Sequence, residues 1–241
     1  MNTLPLASDT AMVLSAGLGK RMRPLTATQP KPLVRVAGKS MIDHTLDKLD
    51  AAGVTKVVVN VHYLADALEG HLKVRRKGPA ITVSDEREQL LETGGGMVKA
   101  APLLPETFFC LNSDNIWLDG PVDVFHELSL GWDEAAMDAL LLMVPHPRAM
   151  NYRGEGDFHL DPAGRVSRRK QGRVAPFIYS GIQLVSKRLL RDAPEGPFST
   201  NLLWSRAIEE GRLFGIVHTG LWFEVGEPGA IRPTEEWLTR A

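Results

Sequence analysis

The feature that most restricts the fold is a set of short apolar runs with no polar alternation. Lys56–Val61 reads Lys-Val-Val-Val-Asn-Val, Phe108–Asn112 and Ala139–Val144 are continuous apolar runs, and Ala11–Ala16 and Ala80–Ser84 are shorter ones. A strand with one face in water alternates apolar and polar side chains. An unbroken run suits a strand covered on both faces, as in a parallel sheet. Segments of helical period lie between the runs. Ser40–Ala52 carries Ile42, Leu46 and Leu49 at helical spacing, with Gly53 placed to end the helix; Leu64, Leu68 and Leu72 stand four apart on one face. The order β-α-β-α-β predicts an α/β fold, a doubly wound, mixed and mostly parallel sheet with helices on both faces.

The second half is less regular. Phe177–Val185 and Leu213–His218 read as strands, Asp157–Leu160 as a short strand, and Thr200–Glu210 and Pro228–Thr239 as helices; Met150–Val174 is rich in Gly and Arg. No Ser/Gly linker divides the chain, so residues 1–241 are expected to form a single domain. A chain of 241 residues buries a sheet core without a covalent staple. Lys and Arg number 28 against 29 Asp and Glu, a net charge of −1, which argues against a nucleic-acid polymer as partner. The single cysteine, Cys110, excludes an internal disulfide and fits a cytoplasmic setting. No apolar run is long enough to span a membrane, so no membrane partner is expected. Met1–Thr10 has no cation before Lys20, unlike a secretory signal, and reads as a short frayed extension. Neither a zinc-type His pattern nor a G-x-S-x-G nucleophile is present, and Cys110 sits in an apolar run as a small hydrophobe.

The most informative segment follows the first strand directly: Ala16-Gly17-Leu18-Gly19-Lys20-Arg21-Met22-Arg23-Pro24-Leu25-Thr26. Glycines at the carboxyl end of a strand let backbone N–H groups approach phosphates, and open α/β sheets bind ligands at that end. The dinucleotide fingerprint fails, because Met22 holds its third glycine position. The P-loop fails too, with Leu14 and Arg21 where Gly and Ser/Thr belong. Lys31 follows between two prolines, in Pro30-Lys31-Pro32-Leu33. Cations on a glycine loop suit a triphosphate; taken alone, G-x-G is equally a turn with solvated cations.

The whole ordered string, G-x-G-x-R-M-x-P-L-T, then P-K-P-L, then Val36-Ala37-Gly38-Lys39-Ser40-Met41-Ile42, closely resembles the signature of sugar-1-phosphate nucleotidylyltransferases. Arg35 departs from it, at a position where relatives often carry proline. The resemblance implies a Rossmann-like, GT-A-like nucleotidyltransferase fold. Residues 11–145 would form a nucleotide-binding half and 146–241 a sugar-phosphate-binding half, leaving no room for an appended acyltransferase or regulatory domain. It implies that Ala16, Gly17, Gly19 and Lys20 wrap the nucleotide, that Arg21 meets the β- and γ-phosphates, and that Lys31 polarises phosphate oxygens during transfer. Arg21 and Lys31 are thus the expected catalytic residues.

Three further segments fit the same resemblance. Leu91-Glu92-Thr93-Gly94-Gly95-Gly96-Met97 opens a helical stretch, and Thr93, Gly94 and Gly95 are expected at the base and ribose, with Glu86 or Glu88 at the base edge. This form resembles a bacterial branch that acts with UTP on N-acetylmuramic acid 1-phosphate, in cell-wall recycling, or with GTP on mannose 1-phosphate. Leu111-Asn112-Ser113-Asp114 ends a buried run, with Ser113 where the family usually has glycine; Asp114 is the expected Mg²⁺ ligand. Trp222-Phe223-Glu224-Val225-Gly226 matches the second metal segment, with Glu224 in place of the usual aspartate. Asn112, Asn151, Gly156, Asp157 and Ser180 are expected around the sugar phosphate. The basic run Arg168, Arg169, Lys170 and Arg173 reads as a solvated face, or as a further sugar-phosphate contact. The expected partners are a nucleoside triphosphate, UTP foremost, and a sugar 1-phosphate. GTP with mannose 1-phosphate, CTP with choline phosphate and a non-catalytic nucleotide-sugar sensor or regulatory protein are the alternatives.

Overall fold

A computed structural model describes residues 5–240. In chain order, β1 (Thr10–Leu14) leads through a glycine loop and three 3-10 turns to the two-residue strands β2 (Arg35–Val36) and β3 (Lys39–Ser40). Then come α1 (Met41–Ala52), β4 (Lys56–Val61), α2 (Ala65–Val74), β5 (Ala80–Asp85), α3 (Glu92–Ala100), β6 (Thr107–Asn112), β7 (Ile116–Leu118), α4 (Val124–Gly131) and β8 (Ala139–Pro145). The remainder is β9 (Ala149–Met150), β10 (Phe158–Leu160), β11 (Val166–Arg168), β12 (Phe177–Ser186), α5 (Asn201–Glu209), β13 (Leu213–Val217), β14 (Leu221–Phe223) and α6 (Ile231–Leu238).

Strands β5, β4, β1 and β6 are parallel neighbours, as the unbroken apolar runs require. Strand β12 then runs antiparallel between β6 and β8, and β13 lies parallel to β8. The two halves of the chain therefore share one nine-stranded sheet. Helices cover both faces. Leu46 of α1, Leu68 of α2 and Phe125 of α4 pack on one face, and Met97 of α3 with Leu203 and Trp204 of α5 on the other.

Local chemistry explains the boundaries. Ser40 caps α1 by accepting the Asp43 amide, and Gly53 ends the helix in the left-handed region at φ 94°. Leu64 differs from its helical reading: it sits before α2 at φ 49°, exposed, and Ala65, Leu68 and Leu72 form the buried face. The first residues also differ from a frayed extension. Residues 1–4 lie outside the described residues, but Leu6 packs on the core, the Ala7 amide donates to Ser129 Oγ at 3.0 Å, and Ser8 is buried. Cys110 is buried, and burial pushes its thiol up to about 12, far from a thiolate nucleophile.

Candidate active site

The carboxyl ends of β1, β4 and β6 open onto a cleft of about 520 Å³. Ala16, Gly17, Gly19, Lys20 and Arg21 line one wall; Lys31, Thr93, Asn112 and Asp114 line the rest. The glycine loop is held from below. The Ser15 amide donates to Asn60 Oδ1 at 2.6 Å, and Thr26 Oγ1 donates to the Gly19 carbonyl at 2.8 Å. Gly19 adopts φ 59°, and a Cβ there would press on Lys31 and Thr26 at about 3 Å. Gly17 has no atom within 4 Å of the place a Cβ would take, so its open side faces the cleft.

A small apolar cluster fastens the charged segments together. Met22 of the loop, Val34 after the Lys31 turn, Ile116 of β7, and Phe223 and Val225 around Glu224 are buried in one group. Met22 is fully buried, worth about 1.5–3 kcal/mol, which is why this position carries methionine instead of a fingerprint glycine. The pairing of β7 with β14 does the rest. The strands are antiparallel with Ile116 opposite Phe223, so Asp114, just before β7, and Glu224, just after β14, leave the same end of the pair. Carboxylates 110 positions apart thereby reach one region.

Each carboxylate faces a cation. Lys31 Nζ forms an ion pair with Asp114 Oδ2, and the lysine side chain is only 14% exposed. Arg21 Nη1 lies 3.6 Å from Glu224 Oε1, with the arginine largely in solvent. Glu224 borders a smaller adjoining cavity of about 210 Å³ that shares Arg21 and Gly226 with the main cleft. Lys20, Arg21 and Lys31 on one cleft favour a polyanion. The donor set also suits a hard cation. Among the described residues no three or more His, Cys, Asp or Glu gather as a metal cage. Two carboxylates completed by phosphate oxygens and water are the pattern magnesium prefers.

The match with known proteins decides the family. Residues 10–156 match the family described as nucleotidyl transferase. The chain belongs to the nucleotidyl transferase family. It is 44% identical to an N-acetylmuramate alpha-1-phosphate uridylyltransferase of Caulobacter vibrioides, over 98% of this chain and 99% of the relative. A Neisseria meningitidis protein of the same description is 33% identical over 90% and 92%. Among solved structures, the inositol-1-phosphate CTP transferase from T. maritima shares the fold, with a TM-score of 0.76 at 18% identity over 97% of this chain and 96% of that one.

This nucleotidyl transferase places several sequence-predicted residues elsewhere. Gly94 and Gly95 lie inside α3, not at the cleft. Their amides donate to the Phe198 carbonyl at 2.9 and 3.2 Å, and a Cβ would collide with the Phe198 ring at Gly94 and with the Gly196 carbonyl at Gly95. They are glycine because another segment of the protein presses on the helix, and they have no amide left for a base. Glu86, offered for the base edge, is fully buried, accepting from Asn60 Nδ2 at 2.7 Å and the Leu91 amide at 3.2 Å. Ser180 is buried with its hydroxyl accepting the Ile182 amide, and lines none of the cavities described. The neighbouring Gly181 sits at φ 83°, and Asn112 and Asn115 lie within 3 Å of the place a Cβ would take, so both its backbone and its surroundings call for glycine. Asn151 borders the smaller cavity but donates to Thr234 Oγ1 at 3.0 Å, anchoring α6. Gly156 and Asp157 line a separate cavity.

Sequence reasoning missed Asn60, Leu90, Glu92, Ser199 and Gly226 in the cleft. Asn60 had a signal: it is the one polar residue interrupting the Val-rich run of β4, and it is buried. Ser199 had none.

Proposed function

We propose that the protein joins UTP to N-acetylmuramic acid 1-phosphate, releasing pyrophosphate, in the cytoplasm. The observation that carries this reading is the 44% identity to the Caulobacter uridylyltransferase over nearly the whole chain, together with a cleft lined by Lys31, Arg21 and Asp114, with Glu224 paired to Arg21 on the adjoining cavity. The reaction asks little covalent work of the protein. A phosphate oxygen of the sugar phosphate attacks the α-phosphorus of the nucleotide, and pyrophosphate leaves in line. Gly17, with open space above it, lets the nucleotide approach the loop backbone. Lys31 moves from its carboxylate partner to the phosphate oxygens and stabilises the charge that develops there. Arg21, exposed and loosely paired, holds the leaving phosphates. Asp114 and Glu224 would hold Mg²⁺, which supplies further charge neutralisation when bound with the nucleotide. Asn112, at the tip of β6, lines the same cleft, and its amide would contact the sugar phosphate. Residues 11–145 supply most of the nucleotide wall, and 146–241 contribute Ser199 and Gly226 to it, with Glu224 on the adjoining cavity.

A pyrophosphate-release panel of the four nucleoside triphosphates against several sugar 1-phosphates tests this. The expected result is turnover greatest with UTP and N-acetylmuramic acid 1-phosphate. Greatest turnover with GTP and mannose 1-phosphate would replace the substrate assignment. Tight nucleotide-sugar binding without turnover would make the protein a sensor.

A further inference from the structure

The basic run at Arg168–Arg173 plays no part in the transfer chemistry above, and the structure divides it. Arg169 is a structural residue: Nε donates to the Gly156 carbonyl at 2.9 Å, and Nη1 pairs with Glu155 at 2.7 Å. Arg168 is different. With Arg169 it lines a second cavity of about 340 Å³, but its head group is not tied to a carboxylate; Ser199 lines the main cleft and Asn201, two residues on, lines this cavity. The cavity wall is aromatic. Trp204 packs edge-on against Phe158 at 6.0 Å and Tyr179 at 4.8 Å, and the Arg168 guanidinium stands 5.5 Å from the Phe158 ring centre.

The partners of Arg168 are all neutral. Nη1 donates to Asn201 Oδ1 at 3.0 Å, and Nη2 donates to the Asn201 carbonyl at 2.9 Å and Ser205 Oγ at 3.2 Å. Among the described residues no carboxylate lies within 4.0 Å of it. The nearby Asp157 is held by the Tyr179 amide, which donates to its Oδ2 at 2.9 Å. Three of the five guanidinium donors are therefore engaged, and two remain for an anion. Side-chain oxygens fix the head group in place and an aromatic ring backs it; Asp157, in the same cavity wall, attracts it without forming an ion pair. That arrangement is pre-organised for a carboxylate or phosphate supplied from outside.

We propose that Arg168 reads the carboxylate of an acidic amino sugar. The sugar's phosphate would lie in the main cleft and its acid arm in the aromatic-walled cavity, which would make Arg168 a specificity-determining residue. The inference rests on the sugar 1-phosphate reading above and sharpens it: N-acetylmuramic acid differs from N-acetylglucosamine by a lactyl ether that carries a carboxylate. The phosphate is a weaker choice for Arg168, because Lys20, Arg21 and Lys31 already crowd the main cleft with cations.

The test compares UTP-dependent pyrophosphate release with N-acetylmuramic acid 1-phosphate and with N-acetylglucosamine 1-phosphate. Wild type, Arg168→Gln and Arg168→Lys are assayed, with melting temperatures recorded. The expected result is a wild-type preference for the acid that falls about 10- to 100-fold in Arg168→Gln, mostly through KM, with part restored in Arg168→Lys. A second measurement avoids any folding defect: wild type is assayed with the lactyl acid converted to its carboxamide, and loses a similar factor. An amide used as well as the acid, or an unchanged preference in a folded Arg168→Gln, overturns the proposal. A wild type that turns over both sugars equally overturns it while leaving the transfer reaction standing. A wild type active with neither sugar overturns both.

Discussion

Two glycine-rich segments, the loop after β1 and the start of α3, carry glycine for different reasons. In the loop after β1, Gly17 has empty space where a side chain would go. In α3, Gly94, Gly95 and Gly96 have none: Phe198, Gly196 and Glu86 occupy the place of a Cβ. At Gly17 the loop opens onto the cleft, whereas the α3 glycines make room for the protein itself. A glycine run in a sequence marks close approach, and only the structure says what approaches.

Substitutions in the two segments should therefore separate function from stability. The largest effect is expected on the ligand side. Lys31→Ala should lower turnover by about 10²–10³, roughly 3–4 kcal/mol, with an unchanged melting temperature; steady-state kinetics beside calorimetry would show it. Next, Gly95→Ala should cost about 1–3 kcal/mol of folding stability in denaturant titration, because the added methyl meets a backbone carbonyl that cannot step aside. Gly17→Ala should change stability by less than about 1 kcal/mol yet raise the KM for nucleotide about tenfold, a 1.4 kcal/mol loss. If Gly17→Ala unfolds the protein and Gly95→Ala does not, the contrast between the segments is wrong.

The smallest effect comes from a region remote from both. Burial opposes ionisation of Asp43, but the Ser40 hydroxyl, His71 and Arg75 outweigh it and hold the carboxyl below 3.8; Asp47 is lowered likewise, against burial, by Lys39 and Arg75. A carboxylate depressed in the folded state stabilises above its unfolded pKa, and that contribution is lost as pH falls through the folded value. Acid unfolding of the wild type should thus steepen below about pH 4, and Asp43→Asn should flatten that limb without touching turnover at neutral pH.

The sheet was legible because strands buried on both faces leave unbroken apolar runs, and β4 matches its run residue for residue. The loop from Ala16 to Lys31 was legible because its glycines and cations follow the family's ordered pattern, and Ala16, Gly17, Gly19, Lys20, Arg21 and Lys31 all line the cleft. Less visible were contacts between segments far apart in sequence. Nothing near Gly94 announces Phe198, and β7 and β14, three residues each, carry too little pattern to reveal that their pairing brings Asp114 and Glu224 to one end. Strand β12 shows the same limit. Its composition marks it as a strand, but local sequence specifies neither its place between β6 and β8 nor the register shift against β8 between Tyr179 and Gln183, around Gly181.

The central claim is that these separated carboxylates complete a nucleotidyl-transfer site with Lys31 and Arg21. Pyrophosphate release by purified, folded Asp114→Ala tests it most directly. A fall of about 10² or more at an unchanged melting temperature is predicted. Wild-type release would contradict the account.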